Sequence, residues 1–202
     1  MTRTELIAQH KARLGTAAKH FTAPLDADFG RHIDAAVQAL NTSRPRVVPG
    51  SAAGIARIAR YAGPADMVRF HRLLWGDDRS RRQWEPSWAG TPPRVTVQWD
   101  GSGMTISLIP APTSAQITAW GATINYLYVS THQLTDTTNT INPADNNLLM
   151  LRASAEAMAE LSNAGVVSPV QLHRGMVAIP SNSTPQAVYA LLMAEYDRQA
   201  QG

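Results

Sequence analysis

Apolar side chains recur at helical spacing near both ends of the chain. Near the N-terminus, four of them follow at intervals of four, four and three residues, which predicts an amphipathic helix that Asp26 caps. These four residues are Phe29, Ile33, Val37 and Leu40. A shorter helix precedes it, because Thr2 and Glu5 have the spacing of a capping box. We expect this first helix to end near Gly15.

The C-terminal part of the chain carries two further helical patterns. The longer one is rich in alanine, starts with Asp145 as its predicted N-cap and ends at Gly165, which suits a left-handed C-cap residue. A last helix is predicted from Thr184 and Pro185, a hydroxyl cap followed by proline at the first helical position.

The middle of the chain has the period of two that is typical of strands. Two alternating runs on either side of residues 100–103 predict a hairpin. Further extended segments are predicted over 68–75 and 123–129. Residues 50–61 are compatible with a helix because of their alanines, and with an irregular strand because of their isoleucines and glycines.

This order of elements predicts an α+β fold. We expect a helical bundle, made of N-terminal helices and the long alanine-rich helix, with an inserted antiparallel β lobe and a C-terminal helix. The chain is interpreted as a single domain, 1–202, with a helical part at 1–45, a β insertion at 46–141 and a second helical part at 142–202. Residues 76–93 are predicted to form a long loop and residues 166–183 an extended connector. Long loops inside compact domains usually serve function or partner binding.

Charge is distributed unevenly along the 202 residues, although the net charge is only +3. Residues 1–101 contain fifteen Lys or Arg and nine Asp or Glu, whereas residues 102–202 contain three and six. A chain polarised in this way can stack head to tail with copies or partners, or present its basic side to a polyanion.

Candidate catalytic chemistry is sparse. The chain has no cysteine, which excludes disulfides and thiolate catalysis. Its six histidines are scattered without metal-ligand spacing, and no nucleotide-binding or nucleophile motif is present. We therefore predict no catalytic, cofactor-binding or metal residues, no cofactor and no enzymatic activity. No apolar run of eighteen residues occurs either, so no membrane partner is expected.

One segment, WGDDRSRRQWEPSW at residues 75–88, concentrates tryptophan and arginine. Both residue types are enriched at the energetic centres of protein interfaces. They also suit nucleic acid, through stacking and phosphate contacts, although three carboxylates offset the three arginines. A third interpretation is that the tryptophans plug the β lobe. The interface candidates are Trp75, Arg79, Arg81, Arg82, Trp84 and Trp88.

Several short segments follow one another in an order that resembles a known class of protein. YAGPADMVR (61–69) precedes a strand, ISLIPAP (106–112) is a strand followed by a Pro-x-Pro step, and YLYVSTHQLT (126–135) leads through INP (141–143) into LLMLRA (148–153). Over about residues 26–162 this order resembles the head–tail adaptors of tailed bacteriophages, also called connector or head-completion proteins. Gly63 and Met67 stand where that class usually has a larger apolar residue and phenylalanine.

The resemblance implies a structural role in the neck of a virion. Such proteins form a homo-oligomeric ring of about a dozen copies that binds the portal protein, docks a tail or tail-completion protein and extends the channel through which genomic DNA passes. The expected location is the virion neck after assembly in the host cytoplasm. The alternative is a basic DNA-binding protein that uses the Arg/Trp loop 75–88.

Overall fold

The computed structural model describes residues 1–77, 83–85, 88–170, 172 and 183–201. The chain divides into two compact units. The helical unit comprises Met1–Pro45 and His132–Gly202, and the β unit comprises Arg46–Thr131. Within the described residues both antiparallel sheets lie in the β unit and four of the five α-helices lie in the helical unit, and the predicted α+β class is confirmed. That the parts act as a single adaptor domain stays a prediction.

The first two helices begin differently from each other. Helix α1 (Arg3–Leu14) has the predicted capping box, with Glu5 N–H donating to the Thr2 hydroxyl and Thr2 N–H donating to the Glu5 carboxylate. Helix α2 (Ala27–Ser43) buries the predicted apolar stripe. Asp26 occupies the predicted N-cap position of α2, but its side chain makes no capping hydrogen bond, because its backbone is left-handed and its carboxylate pairs with Lys11 Nζ at 2.7 Å.

The two C-terminal helices follow their predicted bounds closely. Helix α4 (Asn146–Asn163) is followed by Gly165 at φ +75°, which confirms the left-handed position. Asp145 occupies the predicted N-cap position of α4, but its side chain makes no capping hydrogen bond; instead the Asn142 side chain accepts from Ala144 N–H in a short 3-10 turn before α4. Helix α5 (Pro185–Ala200) has the predicted Thr184 cap.

Helix α4 is the central helix of the helical unit. It contacts α1, α2 and α5, and ten of its eighteen residues are buried, while Arg152, Glu156 and Glu160 lie on a partly exposed stripe. Ala153, Ala155 and Ala157 are fully buried, so their small side chains let the neighbouring helices approach closely. Leu149 and Met158 fill the remaining space without solvent exposure.

The β unit contains two three-stranded antiparallel sheets. The first has the strand order β1 (Arg46–Ala53), β6 (Thr123–Ser130), β3 (Met67–Leu73). The second has the order β2 (Arg60–Ala62), β5 (Met104–Ile109), β4 (Arg94–Trp99). The predicted hairpin is the pair β4–β5. The described parts of 76–93 and 166–183 contain no helix or strand, and the rest of both segments lies outside the described residues.

Two local features of the β unit were ambiguous or missed in the sequence. Residues 46–53 form a strand despite their alanines. Gly50 allows close pairing with Tyr126 on β6, because a Cβ atom at position 50 would lie only 2.5 Å from the Tyr126 ring. Helix α3 (Ser114–Trp120), which precedes β6, was not predicted from the sequence. Thr113 and Gln116 form a complete capping box there, a signal that the sequence contains.

The inner faces of the two sheets form the core of the β unit. Ile106, Tyr126 and Tyr128 are buried between them. A second cluster, with Trp75, Leu108 and Ile124 buried, packs beside α3.

Candidate interface site

Trp75 lies two residues beyond the end of β3 and is turned into the β unit. Its side chain is only 3% exposed, its Nε1–H donates to the Gly121 carbonyl at 2.9 Å, and its ring meets Trp120 edge to face at 5.0 Å. A buried indole with its one donor satisfied stabilises a core. The structure thus places Trp75 as a plug, and a partner contact through Trp75 stays a prediction.

The remaining candidates of loop 75–88 are placed differently. Trp84 is 76% exposed, whereas Trp88 is half-buried and donates its backbone N–H to the Glu85 carbonyl at 2.9 Å. Arg79, Arg81 and Arg82 lie outside the described residues. Of the six candidates, Trp84 is the one that the structure presents as a large exposed aromatic surface.

Exposed apolar side chains are concentrated in the β unit. Twelve large apolar side chains are exposed among the described residues, and eight of them belong to residues 46–131. These are Val47, Ile55, Ile58, Val68, Leu74, Trp84, Trp99 and Ile109. Where such side chains adjoin in a contiguous patch, they mark a site of association. Only the tryptophans of loop 75–88 were singled out in the sequence.

Trp99 shows how an apolar residue on the core side of a strand becomes exposed. It shares its side of β4 with Val95 and Val97, which pack into the core, but it is the last residue of the strand and is 65% exposed. The turn beyond it is rigid, because the Asp100 carboxylate accepts from Ser102 N–H and Gly103 N–H at 3.0 Å. The hydrogen bonds of this turn therefore fix the backbone next to the exposed Trp99 side chain.

Arginine is in surplus on the β unit. Three of its described carboxylates are engaged locally: Asp77 pairs with Arg72, Asp100 holds its own turn, and Asp66 binds two hydroxyl groups. Four exposed arginines have no ion pair with any described residue. They are Arg57, Arg60, Arg69 and Arg94. Their charge is available to a partner.

Asp66, part of the segment that carries the family resemblance, has a structural role. Its two carboxylate oxygens accept from the Tyr128 hydroxyl at 3.0 Å and the Ser130 hydroxyl at 2.8 Å. Burial opposes ionisation, but the hydrogen bonds from Ser130 and Tyr128 and the charge of Arg46 lower the pKa of Asp66 overall. The carboxylate fastens the turn before β3 to β6, which explains an aspartate at this position.

A polar chain of four side chains runs through the helical unit at residues that no sequence motif singled out. Glu160 accepts from Arg31 at 2.8 Å and from His32 Nε2 at 2.9 Å, and His32 Nδ1 lies 3.3 Å from His10 Nε2. Because a carboxylate can only accept, His32 Nε2–H is the donor to Glu160. His10 Nδ1 is buried without a partner among the described residues.

This arrangement holds His10 in its neutral form. Burial, then the proximity of His32 and Arg13, lowers the pKa of His10 to about 3. The Phe21 and Phe29 rings enclose the histidine pair, with Phe21 at 5.0 Å from His32 and Phe29 at 6.0 Å from His10. His10 and His32 form the buried inner end of the network, whereas Glu160 and Arg31 lie at the surface.

No metal centre is formed by the part of the chain that the structure describes, since no three His, Asp or Glu residues there are placed to hold an ion. A cavity of about 340 Å³ lies where the start of α1 meets residues 135–139. Its two carboxylates are already bonded, Glu5 to Thr2 N–H and Asp136 to Thr4. None of the described helices is long and apolar enough to cross a membrane.

A rigid helical unit joined to a β unit with exposed apolar and cationic groups has the properties of a structural adaptor. Residues 1–199 match the family model of the SU10 adaptor protein, so the chain belongs to the SU10 adaptor protein family. The predicted resemblance to phage head–tail adaptors is confirmed. The chain is thus a structural virion component of the adaptor type.

The chain was also compared with solved structures and with curated proteins. One chain in the solved structure of the virion of a native gene transfer agent (GTA) particle is 15% identical, with 95% of this chain and 87% of that chain covered. The TM-score is 0.27, which is too low to indicate a shared fold. No curated protein matches the chain.

Proposed function

We propose that this protein forms a ring of about a dozen copies in the virion neck. One side of the ring binds the portal protein and the other docks a tail or tail-completion protein. The ring extends the channel through which genomic DNA passes, and it assembles in the host cytoplasm. The observation that carries the proposal is membership of the adaptor family over residues 1–199.

The distribution of surface groups supports this role. An adaptor must contact copies of itself and two different partners, which requires several association surfaces on one small chain. The eight exposed apolar side chains and four unpaired arginines of the β unit supply such surfaces within the described residues. The helical unit, with its deeply buried α4, supplies a stable body. The protein acts by geometry and binding, without catalysis.

Loop 75–88 contributes a contact to a neighbouring copy or partner ring in this proposal. Trp84 is its described anchor, because it is 76% exposed and tryptophan is frequent among the residues that dominate binding energy. Arg79, Arg81 and Arg82 flank it in the sequence and complete the proposed contact.

Binding to the portal protein encoded in the same genome tests the function. The purified chain is mixed with that portal protein, and the complex is examined by size-exclusion chromatography and negative-stain microscopy. We expect co-elution and an added ring of density on one face of the portal. Trp84→Ala is expected to weaken this assembly, while Val167→Ala, which alters an equally exposed residue of the helical unit, leaves it intact. Absence of co-elution for the unmodified chain would contradict the proposal.

The second candidate function is binding of duplex DNA by the free protein. The unpaired arginines of the β unit favour it, because phosphate contacts are made by such cations. Micromolar binding to a DNA duplex, falling steeply between 50 and 200 mM salt as expected from counterion release, would support this function over the adaptor ring. Binding that is weak at both salt concentrations would remove it.

A further inference from the structure

Three isoleucines form an exposed patch at one end of the β2–β5–β4 sheet. Ile55, Ile58 and Ile109 are 58%, 45% and 56% exposed. Arg60 is opposite Ser107 in the sheet, so continuing this register by two residues places Ile58 opposite Ile109. We call these three residues the isoleucine patch.

The patch lies on the outer face of its sheet. Ile106 and Leu108 of β5 point into the core and are at most 3% exposed. Side chains alternate along a strand, so Ile109 points to the opposite side. Arg94 is its partner on β4, and paired residues share a face. Aliphatic and cationic side chains therefore stand together on a surface that no other described element covers.

The turn that carries Ile55 and Ile58 is held rigid. Arg57 between them has φ +67°, a left-handed conformation that costs about 1 kcal/mol or more for a residue other than glycine. Its N–H donates to the Pro112 carbonyl at 2.8 Å, and the Tyr61 hydroxyl donates to the Ile58 carbonyl at 2.8 Å. Strain that the surroundings maintain at an exposed apolar turn indicates a preformed contact surface.

Arginines surround the isoleucine patch. Arg57 lies within the turn, Arg60 follows it on β2, and Arg94 is beside Ile109. All three are exposed and form no ion pair within the described residues. An apolar centre with a cationic rim fits a protein surface that is apolar with negative charge at its edge. Aliphatic side chains offer nothing to a phosphate backbone, so the centre of the patch does not suit DNA.

Helix α5 presents a surface of that kind. One face, with Val188, Leu192 and Tyr196, is buried in the helical unit. The opposite face is also apolar, although it is exposed; its members are Ala187, Ala190, Leu191 and Ala194. A helix that is apolar all round is normally buried all round.

The C-terminal end of α5 carries the matching charge. Asp197 is exposed there and forms no ion pair within the described residues. The end of a helix also has a partial negative charge from its backbone dipoles, which attracts arginine. Arg198 also lies at this end, but it pairs with Glu195, so Asp197 is the charge that lacks an ion pair there among the described residues. The outer face of α5 is thus apolar along its length, with an unpaired carboxylate at one end.

We propose that the outer face of α5 in one copy of this chain seats on the isoleucine patch of the next copy. Asp197 then faces the arginine rim. The two surfaces are unlike, so the contact is head to tail, and repetition with rotation closes a ring. This inference rests on the proposed function, because it assigns the contact between neighbours in the adaptor ring.

Cysteine cross-linking tests the contact cleanly, since the chain has no native cysteine. Ile58→Cys and Leu191→Cys proteins are prepared separately, mixed at high concentration with and without the portal protein, and oxidised. We expect a cross-linked heterodimer of 58 and 191 several-fold above either homodimer. Val68→Cys, a residue of the same unit with 48% exposure, replaces Ile58→Cys as the matched control and should give only background.

A charge exchange provides a second readout. Arg57→Glu alone and Asp197→Arg alone are expected to reduce self-association several-fold, measured by sedimentation velocity, and the mixture of both variants should recover part of it. Cross-linking no stronger than the Val68→Cys control, with and without portal, would overturn the inference. If that occurs while the chain still binds the portal, only the inference fails. Cross-linking without portal binding would instead leave the contact standing and contradict the proposed function.

Discussion

The helical unit and the β unit handle apolar surface and charge in opposite ways. In the helical unit ten of the eighteen residues of α4 are buried, and carboxylates such as Glu160 and Glu156 pair with arginines of the same unit. In the β unit the core is smaller, eight large apolar side chains are exposed among the described residues, and four arginines lack a described partner. Within the described residues, the β unit thus leaves more apolar and cationic side chains available for association than the helical unit does.

Spectroscopy can follow the two units separately. All five tryptophans lie within residues 46–131, so tryptophan fluorescence reports on the β unit. Most of the helix lies in the helical unit, so circular dichroism at the helix band reports on that unit. The predictions below use this division.

The largest expected effect is at Trp75. Trp75→Ala removes a buried indole and its hydrogen bond to Gly121, and we expect it to destabilise the β unit by about 4 kcal/mol, as for other buried tryptophans. Urea unfolding followed by fluorescence of the other tryptophans measures this change. Trp84→Ala is the control, with an expected change below about 0.5 kcal/mol because the side chain is mostly exposed. Equal losses of stability in the two variants would contradict the buried position of Trp75 and the exposed position of Trp84.

A core truncation in the helical unit comes next. Leu149→Ala opens a cavity at a fully buried position of α4 and should cost about 3 kcal/mol. The shift is expected in the urea transition followed by circular dichroism. Leu191→Ala, at the exposed face of α5, should leave that transition in place. A shift seen only by fluorescence would contradict the separate roles assigned to the units.

The dependence of stability on pH tests the histidine network. The pKa of His10 is lowered to about 3 in the folded protein, against about 6.5 in an unfolded chain. Between pH 6.5 and pH 3 the unfolded chain therefore binds one proton more than the folded protein. The contribution of neutral His10 to the free energy of unfolding is complete above pH 6.5 and is lost as the pH falls below it. The slope is about 1.4 kcal/mol per pH unit, or about 2 kcal/mol between pH 6.5 and pH 5.

Two variants identify the histidine responsible for this slope. His10→Leu should flatten the slope between pH 6.5 and 4.5, while His20→Leu, at an exposed position, should keep it. The lowered pKa of Glu160 acts only below its ordinary value of 4.5, so it does not obscure this window. An unchanged slope in His10→Leu would mean that another group carries the effect.

The smallest expected difference concerns the arginines. Arg31 pairs with Glu160 in the helical unit, but it is exposed to solvent, which screens the pair. Arg31→Ala should therefore cost only about 0.5 kcal/mol. Arg69→Ala, at an exposed arginine without a described ion pair, should not change stability measurably in the same urea titration. A loss at Arg69 as large as at Arg31 would show that the β unit uses its arginines for folding.

Much of the fold could be predicted from local patterns. The capping box at Thr2 and Glu5, the stripe on α2, the β4–β5 hairpin and Gly165 each depend on neighbours within a few residues, so the sequence displays them directly. The errors were local as well. Asp26 and Asp145 have the right residue type for a cap, but Lys11 engages the first and a 3-10 turn beginning at Asn142 precedes the second.

The sequence by itself determined the α+β class, the order of the elements, the family and the concentration of arginine and tryptophan in the first half of the chain. Only the tertiary structure decided which of those residues are exposed. Trp75 and Trp84 are nine positions apart and look alike in the sequence, yet one is a core residue beside Trp120 and the other is exposed. Burial depends on strands and helices distant in the chain, such as β6 and α3, and no local pattern encodes those contacts.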